Sequence, residues 1–349
     1  MCKTLLCKTL RVFYNIAMKR KILFILILFL SFSFQAYCAQ SFQQWKYEYA
    51  ARAAKHGIPK NFSLKILKNE IADPEVLSRY KSQVILDDKK VFKDFMLKWL
   101  RDGERVKKGK ELIQKHYALL DKVEKKFQVD KEVIVALWGT ETLYGEIVGN
   151  YDLIRSLATL AHEGRRRKFY ETQLSAVLRL MKKNLVKREH LKGSWAGATG
   201  QCQFMPSNIY AYGQDFDNDG EIDLWNSLPD IFASMAQLLK KAGWKYNKSI
   251  GELAKAPISF KGKLDKYRSP QTYNKLGFKT LNNVSFSDKK WKARRAAEIP
   301  FINSPVVLRG SNYEPLLRWN RSSLFAAFNI ILIEGFEDKV DFTSKLKKW

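Results

Sequence analysis

A single carboxylate, Glu141, stands in the stretch Ala-Leu-Trp-Gly-Thr-Glu-Thr-Leu-Tyr-Gly-Glu (136–146), flanked by two threonines and, further out, by two glycines. The run from Val129 to Thr142 is low in charge and reads as a buried helix. On it, positions 129, 133, 137 and 141 share a face, so Glu141 sits where the stripe of Val129, Val133 and Leu137 ends. Loss of solvation there disfavours the carboxylate and raises its pKa, as a general acid working near neutral pH requires. Gly139 and Gly145 are expected to leave room beside the acid for a bulky substrate. Periodicity alone keeps a commoner reading open, a helix-end glutamate turned to solvent. Glu146 reads as a surface residue.

Two further stretches carry chemistry. Residues 193–206, GSWAGATGQCQFMP, combine three glycines, which let backbone approach a ligand, with Ser194, Gln201 and Gln203, whose neutral hydrogen bonds suit sugar hydroxyls and acetamides. Trp195, Phe204 and Met205 add apolar faces for sugar rings. Residues 215–226, DFDNDGEIDLWN, place Asp215, Asp217, Asp219 and Asp223 at positions 1, 3, 5 and 9 of an EF-hand-like loop, with Gly220 at 6, Glu221 at 7 and Ile222 at 8. Position 12 is Asn226 instead of a bidentate Glu, which predicts weaker calcium binding or a replacement ligand. Without a cation the loop is an Asx-rich turn facing water or nearby lysines. His56, His116, His162 and His190 are scattered without zinc-ligand spacing, and no phosphate-binding glycine loop occurs, so no organic cofactor is expected.

The elements that must position these groups are mostly helical. Helical patterns are read at Phe42 to His56, Val91 to Leu100, Gly109 to Phe127, Val129 to Thr142, Phe169 to Lys183, Asp230 to Ala242 and Ser322 to Gly335. Lys192 to Gly200 reads as a structured loop, residues 255–300 as basic and irregular, and alternating strand patterns are scarce. A mainly α fold follows.

Residues 1–39 read as a signal peptide: Lys19, Arg20 and Lys21 precede an apolar run from Ile22 to Phe34 and small residues around Ala36 and Ala39. The run falls short of the roughly 20 residues of a membrane span. Cys38 raises lipid anchoring as the lesser alternative to soluble export. The leader holds six positive charges and no acid, so its removal lowers the net charge from +27 to about +21. Such a surface attracts polyanions, either anionic lipid in peripheral association or a carboxylate-bearing wall polymer; export makes nucleic acid the least expected partner. Cys202 alone lies clear of the leader, so no intramolecular disulfide is expected.

Together these blocks resemble the lytic murein transglycosylases of the membrane-bound B type, glycoside hydrolase family 103. The resemblance rests on Gly139-Thr140-Glu141-Thr142, Ser156-Leu157-Ala158-Thr159-Leu160 with Arg165-Arg166, the Gly193 to Pro206 block, Asp223-Leu224-Trp225, and Asn312-Tyr313 with Trp319-Asn320. It implies a lysozyme-like core over 127–349, an additional helical lobe over 40–126 that belongs to the catalytic unit, and an EF-hand-like region at 215–230. The implied activity is cleavage of the β-1,4 bond between N-acetylmuramic acid and N-acetylglucosamine in peptidoglycan strands. Glu141 would act as acid and then base, leaving a 1,6-anhydromuramoyl end, where ordinary glycosidases use two carboxylates. The resemblance places Ser194, Gln203, Phe204, Met205 and Asn320 on the substrate cleft, and Arg165 and Arg166 against the glycan or its peptide. Trp99, Trp319 and Phe325 stand where relatives commonly carry cleft tyrosines; sugar stacking should survive these changes and a phenolic hydrogen bond should not. Asp230 is the later acid implied to complete a calcium shell with Asp215, Asp217, Asp219 and Glu221. A periplasmic monomer is expected. A hydrolytic muramidase, a non-catalytic wall-binding protein that retains the cleft, and a cationic membrane- or nucleic-acid-binding protein are the alternatives.

Overall fold

The computed structural model describes residues 40–82, 91–286, 291–339 and 341–347, so the leader expected at 1–39 lies outside the described residues. The chain divides into the units Met1–Glu48 and Tyr49–Trp349. In chain order the helices are α1 (Phe42–Ala54), α2 (Lys60–Leu67), α3 (Pro74–Lys81), α4 (Phe92–Leu100), α5 (Glu104–Lys115), α6 (Tyr117–Phe127), α7 (Lys131–Thr142), α8 (Leu153–Glu163), α9 (Arg167–Lys182), α10 (Pro206–Tyr212), α11 (Leu228–Lys241), α12 (Pro270–Lys275), α13 (Tyr313–Leu317), α14 (Ser323–Phe336) and α15 (Phe342–Lys347). The strands are β1 (Tyr151–Asp152), β2 (Lys192–Gly193), β3 (Gly251–Lys255), β4 (Lys279–Thr280), β5 (Ala296–Glu298) and β6 (Val306–Arg309).

The centre is α7. Val133 to Gly139 and Thr142 are all buried, because α5, α6, α11 and α14 pack around the helix. Each of its large apolar side chains contributes about 1.5–3 kcal/mol on leaving water. The helix starts at Lys131, so Val129 precedes it and the shared stripe is shorter than periodicity suggested. Asp130 sits at the cap position but caps no helix N–H; it accepts instead from Trp244 Nε1 at 2.9 Å and from the Asn247 amide at 3.0 Å. Other starts follow local chemistry: Asp73, Asp152 and Ser322 accept from backbone amides of α3, α8 and α14.

Three readings change. The helix expected from Gly109 to Phe127 is two, α5 and α6, broken at His116 (φ −107°, ψ 19°). Gly109 lies inside α5 because the Phe336 ring would stand 2.2 Å from a Cβ there. Helix α8 went unassigned although Asp152 caps it and its apolar residues recur at helical spacing. The irregular basic region contributes β4 and β5, and with β3 and β6 at its two flanks they form an antiparallel sheet in the order β4, β3, β6, β5. Its own small core includes Tyr273, Phe278, Phe286 and Leu308, with Trp291 packed against it. Strands of two to five residues are too short to display alternation.

Candidate active site

Glu141 occupies the last turn of α7, only partly exposed. Trp319 Nε1, just beyond α13, donates to Glu141 Oε1 at 2.7 Å. Burial pushes the Glu141 carboxyl up to about 7, against the lowering effect of the Trp319 bond. Among the described residues no charged side chain is a cause of this shift. The acid is thus protonated for about half of the time at neutral pH, able both to give and to take a proton.

The helix end beside it is braced. Leu143, Tyr144 and Gly145 all have left-handed backbone (φ 55°, 62° and 86°), which costs about 1–2 kcal/mol for each non-glycine residue. Tertiary bonds hold the turn: Tyr144 Oη donates to the Arg105 carbonyl at 2.6 Å, and Arg105 Nη1 donates to the Gly139 carbonyl at 2.6 Å. Arg105 Nε also donates to the Trp99 carbonyl at 2.9 Å. Burial lowers the Arg105 guanidinium to about 10, which leaves it charged at neutral pH. On the far side, Thr140 Oγ1 donates to buried Asn329 Oδ1 at 3.4 Å, and Asn329 Nδ2 donates to the Phe325 carbonyl at 2.9 Å.

The glycines do not provide the expected clearance. A Cβ at Gly139 would lie 2.6 Å from the Tyr144 ring, and one at Gly145 would lie 2.3 Å from Gln201 Oε1. Both spaces are filled by protein. Nor is Gln201 free to hold a sugar: its Oε1 accepts from Trp138 Nε1, its Nε2 donates to the Trp225 carbonyl, both at 2.8 Å, and its own carbonyl accepts from Thr142 Oγ1 at 3.0 Å. It rivets α7 to the 193–206 loop.

That loop is a set of tight turns. Ser194 Oγ accepts from the Ala198 amide at 3.0 Å, and Thr199 pairs with both Gly193 and Phe204. Gln203, with φ 50°, donates through Nε2 to the carbonyls of Val148 (3.1 Å) and Gly200 (3.0 Å). Phe204 is buried with its ring 5.1 Å from that of Trp319, so Phe204, Trp319 and Glu141 meet. The Met205 methyl lies where a Cβ on Gly197 would approach it to 3.4 Å. Trp195 faces Tyr80 at 6.4 Å, and the Arg165 guanidinium covers the Tyr80 ring at 4.2 Å while pairing with Glu163 at 3.1 Å. Arg166 lies over Phe169 at 4.3 Å. Arg165 and Arg166 are exposed, as is Asn320 beside Trp319.

The three aromatic replacements behave differently. Trp319 supplies a hydrogen bond to the acid after all, through its indole N–H. Trp99 stacks on Phe328 at 4.2 Å and carries the Arg105 guanidinium 4.1 Å from its ring centre. Two groups that near a ring cannot share one face, so neither face of Trp99 is open to a sugar. Phe325 is buried and offers a carbonyl to Asn329. Glu146 is exposed and paired with Lys108 and, at 3.8 Å, with Arg101. Arg105 and Asn329 were not singled out in the sequence, where nothing local marks a residue whose partner is remote.

In the acidic loop, the carboxylates of Asp215, Asp217 and Asp230 converge within 4.8 Å of one another. Asp230 is fully buried and accepts from the amides of Phe216 (2.7 Å) and Asp223 (2.9 Å). The Asp219 and Glu221 carboxylates stand apart: Asp219 caps the Glu221 amide, and Glu221 pairs with Lys187 at 2.7 Å. Three of the five expected residues thus bring their carboxylates together. The EF-hand pattern takes a backbone carbonyl at the seventh position, which the Glu221–Lys187 pair leaves available.

Comparison with known proteins agrees with this geometry. The SLT_2 family, described as a transglycosylase SLT domain, matches residues 41–332. Membrane-bound lytic murein transglycosylase B of Escherichia coli (strain K12) is 31% identical over 163 residues, which span 45% of this chain and 45% of that protein. SltB3 from Pseudomonas aeruginosa, solved in complex with NAG-NAM-pentapeptide, superposes with a TM-score of 0.76 at 32% identity, over 85% of this chain and 80% of that one. The Escherichia coli lytic transglycosylase Slt35, solved in complex with calcium, shares the fold at 22% identity with a TM-score of 0.67, over 88% of this chain and 99% of that one. With the family match running from before α1 into α14, the chain belongs to the SLT_2 family of transglycosylase SLT domains.

Proposed function

We propose that the protein is a peptidoglycan lytic transglycosylase in which Glu141 is the sole acid and base. The observation that carries this reading is a buried carboxyl near pKa 7 with one fixed donor, Trp319, and, among the described residues, no charged neighbour acting on it. A glycosidase pair needs a second carboxylate within about 5–9.5 Å, and such a neighbour would act on Glu141.

Protonated Glu141 gives its proton to the oxygen joining N-acetylmuramic acid to N-acetylglucosamine, and the bond from that oxygen to muramoyl C1 breaks. The glucosamine end leaves as an alcohol. The muramoyl C6 hydroxyl then closes onto C1 and returns its proton to Glu141. One C–O bond breaks, one forms, no water is consumed, and the enzyme ends as it began. Trp319 holds the carboxyl oriented through both steps. Met205 offers apolar contact to the sugar rings, Phe204, buried, backs Trp319 instead, and Ser194, Gln203 and Asn320 offer polar contact. Arg165 and Arg166, in reach of solvent, suit carboxylates of the attached peptide. Export to the periplasm, through the leader, is part of the same reading; among the described residues no helix is long and apolar enough to cross a membrane.

The acidic loop fits a divalent cation such as calcium. Asp215, Asp217 and Asp230 would hold it, with the Glu221 carbonyl, and its charge would offset three converging carboxylates while fixing the turn before α11.

Product masses test the proposal. Incubation of purified sacculi should yield muropeptides one water lighter than a hydrolase would release, and Glu141→Gln should release none. Products carrying the added water, or unchanged release by the variant, would sink it.

A further inference from the structure

Next to the segment that carries Trp319 lies a pocket of 240 Å³ with three cations, Lys241, Arg318 and Arg321, and no acidic side chain in its lining. In a chain with 62 basic residues a lone surface lysine needs no explanation, and Lys241, in the last turn of α11, complements the helix dipole. Arg318 stands at the C-cap of the five-residue α13, where the dipole is weak, and Arg321 has no such local role. All three are exposed, and none pairs with an acid among the described residues, in contrast to Arg52, Arg155 and Arg188. Their convergence is unfavourable unless an anion enters.

The place gives the anion an origin. Arg318 and Arg321 lie one and two residues from Trp319, so their Cα atoms are within about 8 Å of its Cα, and Trp319 touches both Glu141 and Phe204. Asn208, also in the lining, donates its backbone amide to the Met205 carbonyl at 2.7 Å. Tyr212 and Asn208 add neutral hydrogen-bonding groups, and Leu238 adds an apolar surface. The pocket therefore adjoins the two segments that carry Trp319 and Met205. Planar guanidinium forks flanked by an amide, a phenol and an apolar patch match a peptide carboxylate.

We infer that this pocket binds a carboxylate of a peptide stem on the glycan strand, making Lys241, Arg318 and Arg321 determinants of preference for stem-bearing over bare glycan. The inference rests on the proposed action on peptidoglycan and adds a second peptide contact, distinct from Arg165 and Arg166.

The test is a binding experiment, so it needs no turnover. In the Glu141→Gln background, the triple variant Lys241→Ser, Arg318→Gln, Arg321→Gln is sedimented with intact sacculi on beads and with the bead-immobilised glycan of sacculi whose stems have been removed by an amidase. Each exposed cation–carboxylate contact strengthens binding by a factor of about 1.4 to 5. The triple variant should therefore bind stem-bearing sacculi about tenfold more weakly and stripped sacculi unchanged. A charge-matched control, Lys261→Gln, Lys275→Gln, Lys279→Gln, should keep the stem-dependent difference, and Arg318→Lys with Arg321→Lys should restore much of it. Equal losses on both sacculi, or no loss on either, would overturn the inference. Failure of the Glu141→Gln parent to bind either material would instead overturn the reading of the protein as acting on peptidoglycan.

Discussion

Replacing Trp319 by Phe removes one group, the indole N–H that donates to Glu141 Oε1 at 2.7 Å, and keeps an aromatic ring against Phe204. The bond lowers the Glu141 pKa, because it stabilises the carboxylate more than the acid, while burial holds it up at about 7. A hydrogen bond to a charged acceptor contributes about 1.5–3 kcal/mol, and 1.36 kcal/mol corresponds to one pKa unit. The variant's Glu141 should therefore titrate about 1–2 units higher, near 8–9. The first chemical step needs the protonated acid, so the alkaline limb of kcat/KM should follow the group upward by the same amount. The maximal rate should fall at the same time, since a less oriented carboxylate is a poorer base. The pH profile of anhydro-product release checks this, with side-chain carboxyl NMR of Glu141, assigned by difference from Glu141→Gln, as the direct measure. Water entering the space left by the indole reduces the shift without reversing it. An alkaline limb that stays put or moves downward would refute the assignment of Trp319 as the donor that sets the acid.

Glu141 also couples stability to pH. Its folded value, about 7, lies above the ordinary 4.5, so between these values the unfolded chain releases a proton that the folded chain retains, and stability falls as pH rises through the window. Glu141→Gln should match the native protein at pH 4 and exceed it at pH 8 by up to about 3 kcal/mol in denaturant titrations; a variant no more stable at pH 8 contradicts the burial. Gly145→Ala forces a Cβ to 2.3 Å from Gln201 Oε1 at a φ of +86° and should cost about 1–3 kcal/mol, read as a lowered Tm. Calcium at about a hundredfold excess over its Kd should stabilise the native chain by about 2.7 kcal/mol. Asp217→Asn should shrink that gain, and a Tm indifferent to calcium in the native chain would exclude the site.

What could be read along the chain was what depends on neighbours in sequence. The buried character of α7, the approximate spans of α1, α9, α11 and α14, and the tight turns of the 193–206 loop follow from hydrophobic spacing, capping residues and glycine content. The errors fall where a distant residue decides. Gly139 and Gly145 were read as open space because composition says that a side chain is missing, not what fills the gap; Tyr144 and Gln201 fill it. Gln201 and Gln203 looked alike as sugar-binding amides, yet one is fully engaged between Trp138 and Trp225 and the other is anchored through its nitrogen only. Of the five residues expected around calcium, three bring their carboxylates together, because Lys187, outside the loop, takes the Glu221 carboxylate and Asp219 accepts from the Glu221 amide. The short strands around Tyr273 escaped notice because their order in the sheet pairs β3 with β6, more than fifty residues apart.

The same reasoning explains why periodicity left Glu141 with two readings. A glutamate at the end of an apolar helix is equally compatible with solvent and with a cleft until something covers it. Here the cover comes from 178 residues away, where Trp319 closes over the carboxyl and Phe204 closes over Trp319. Helix α14, buried along most of its length, joins that cover to α7 through Asn329 and Thr140. The elevated pKa is thus a property of the docked assembly of α7, the 193–206 loop and the segment from α13 to α14, and not of the helix that bears the acid. A change that loosens α14 against α7 would hydrate Glu141 and return it toward 4.5, deprotonating the acid at neutral pH with every catalytic side chain still present.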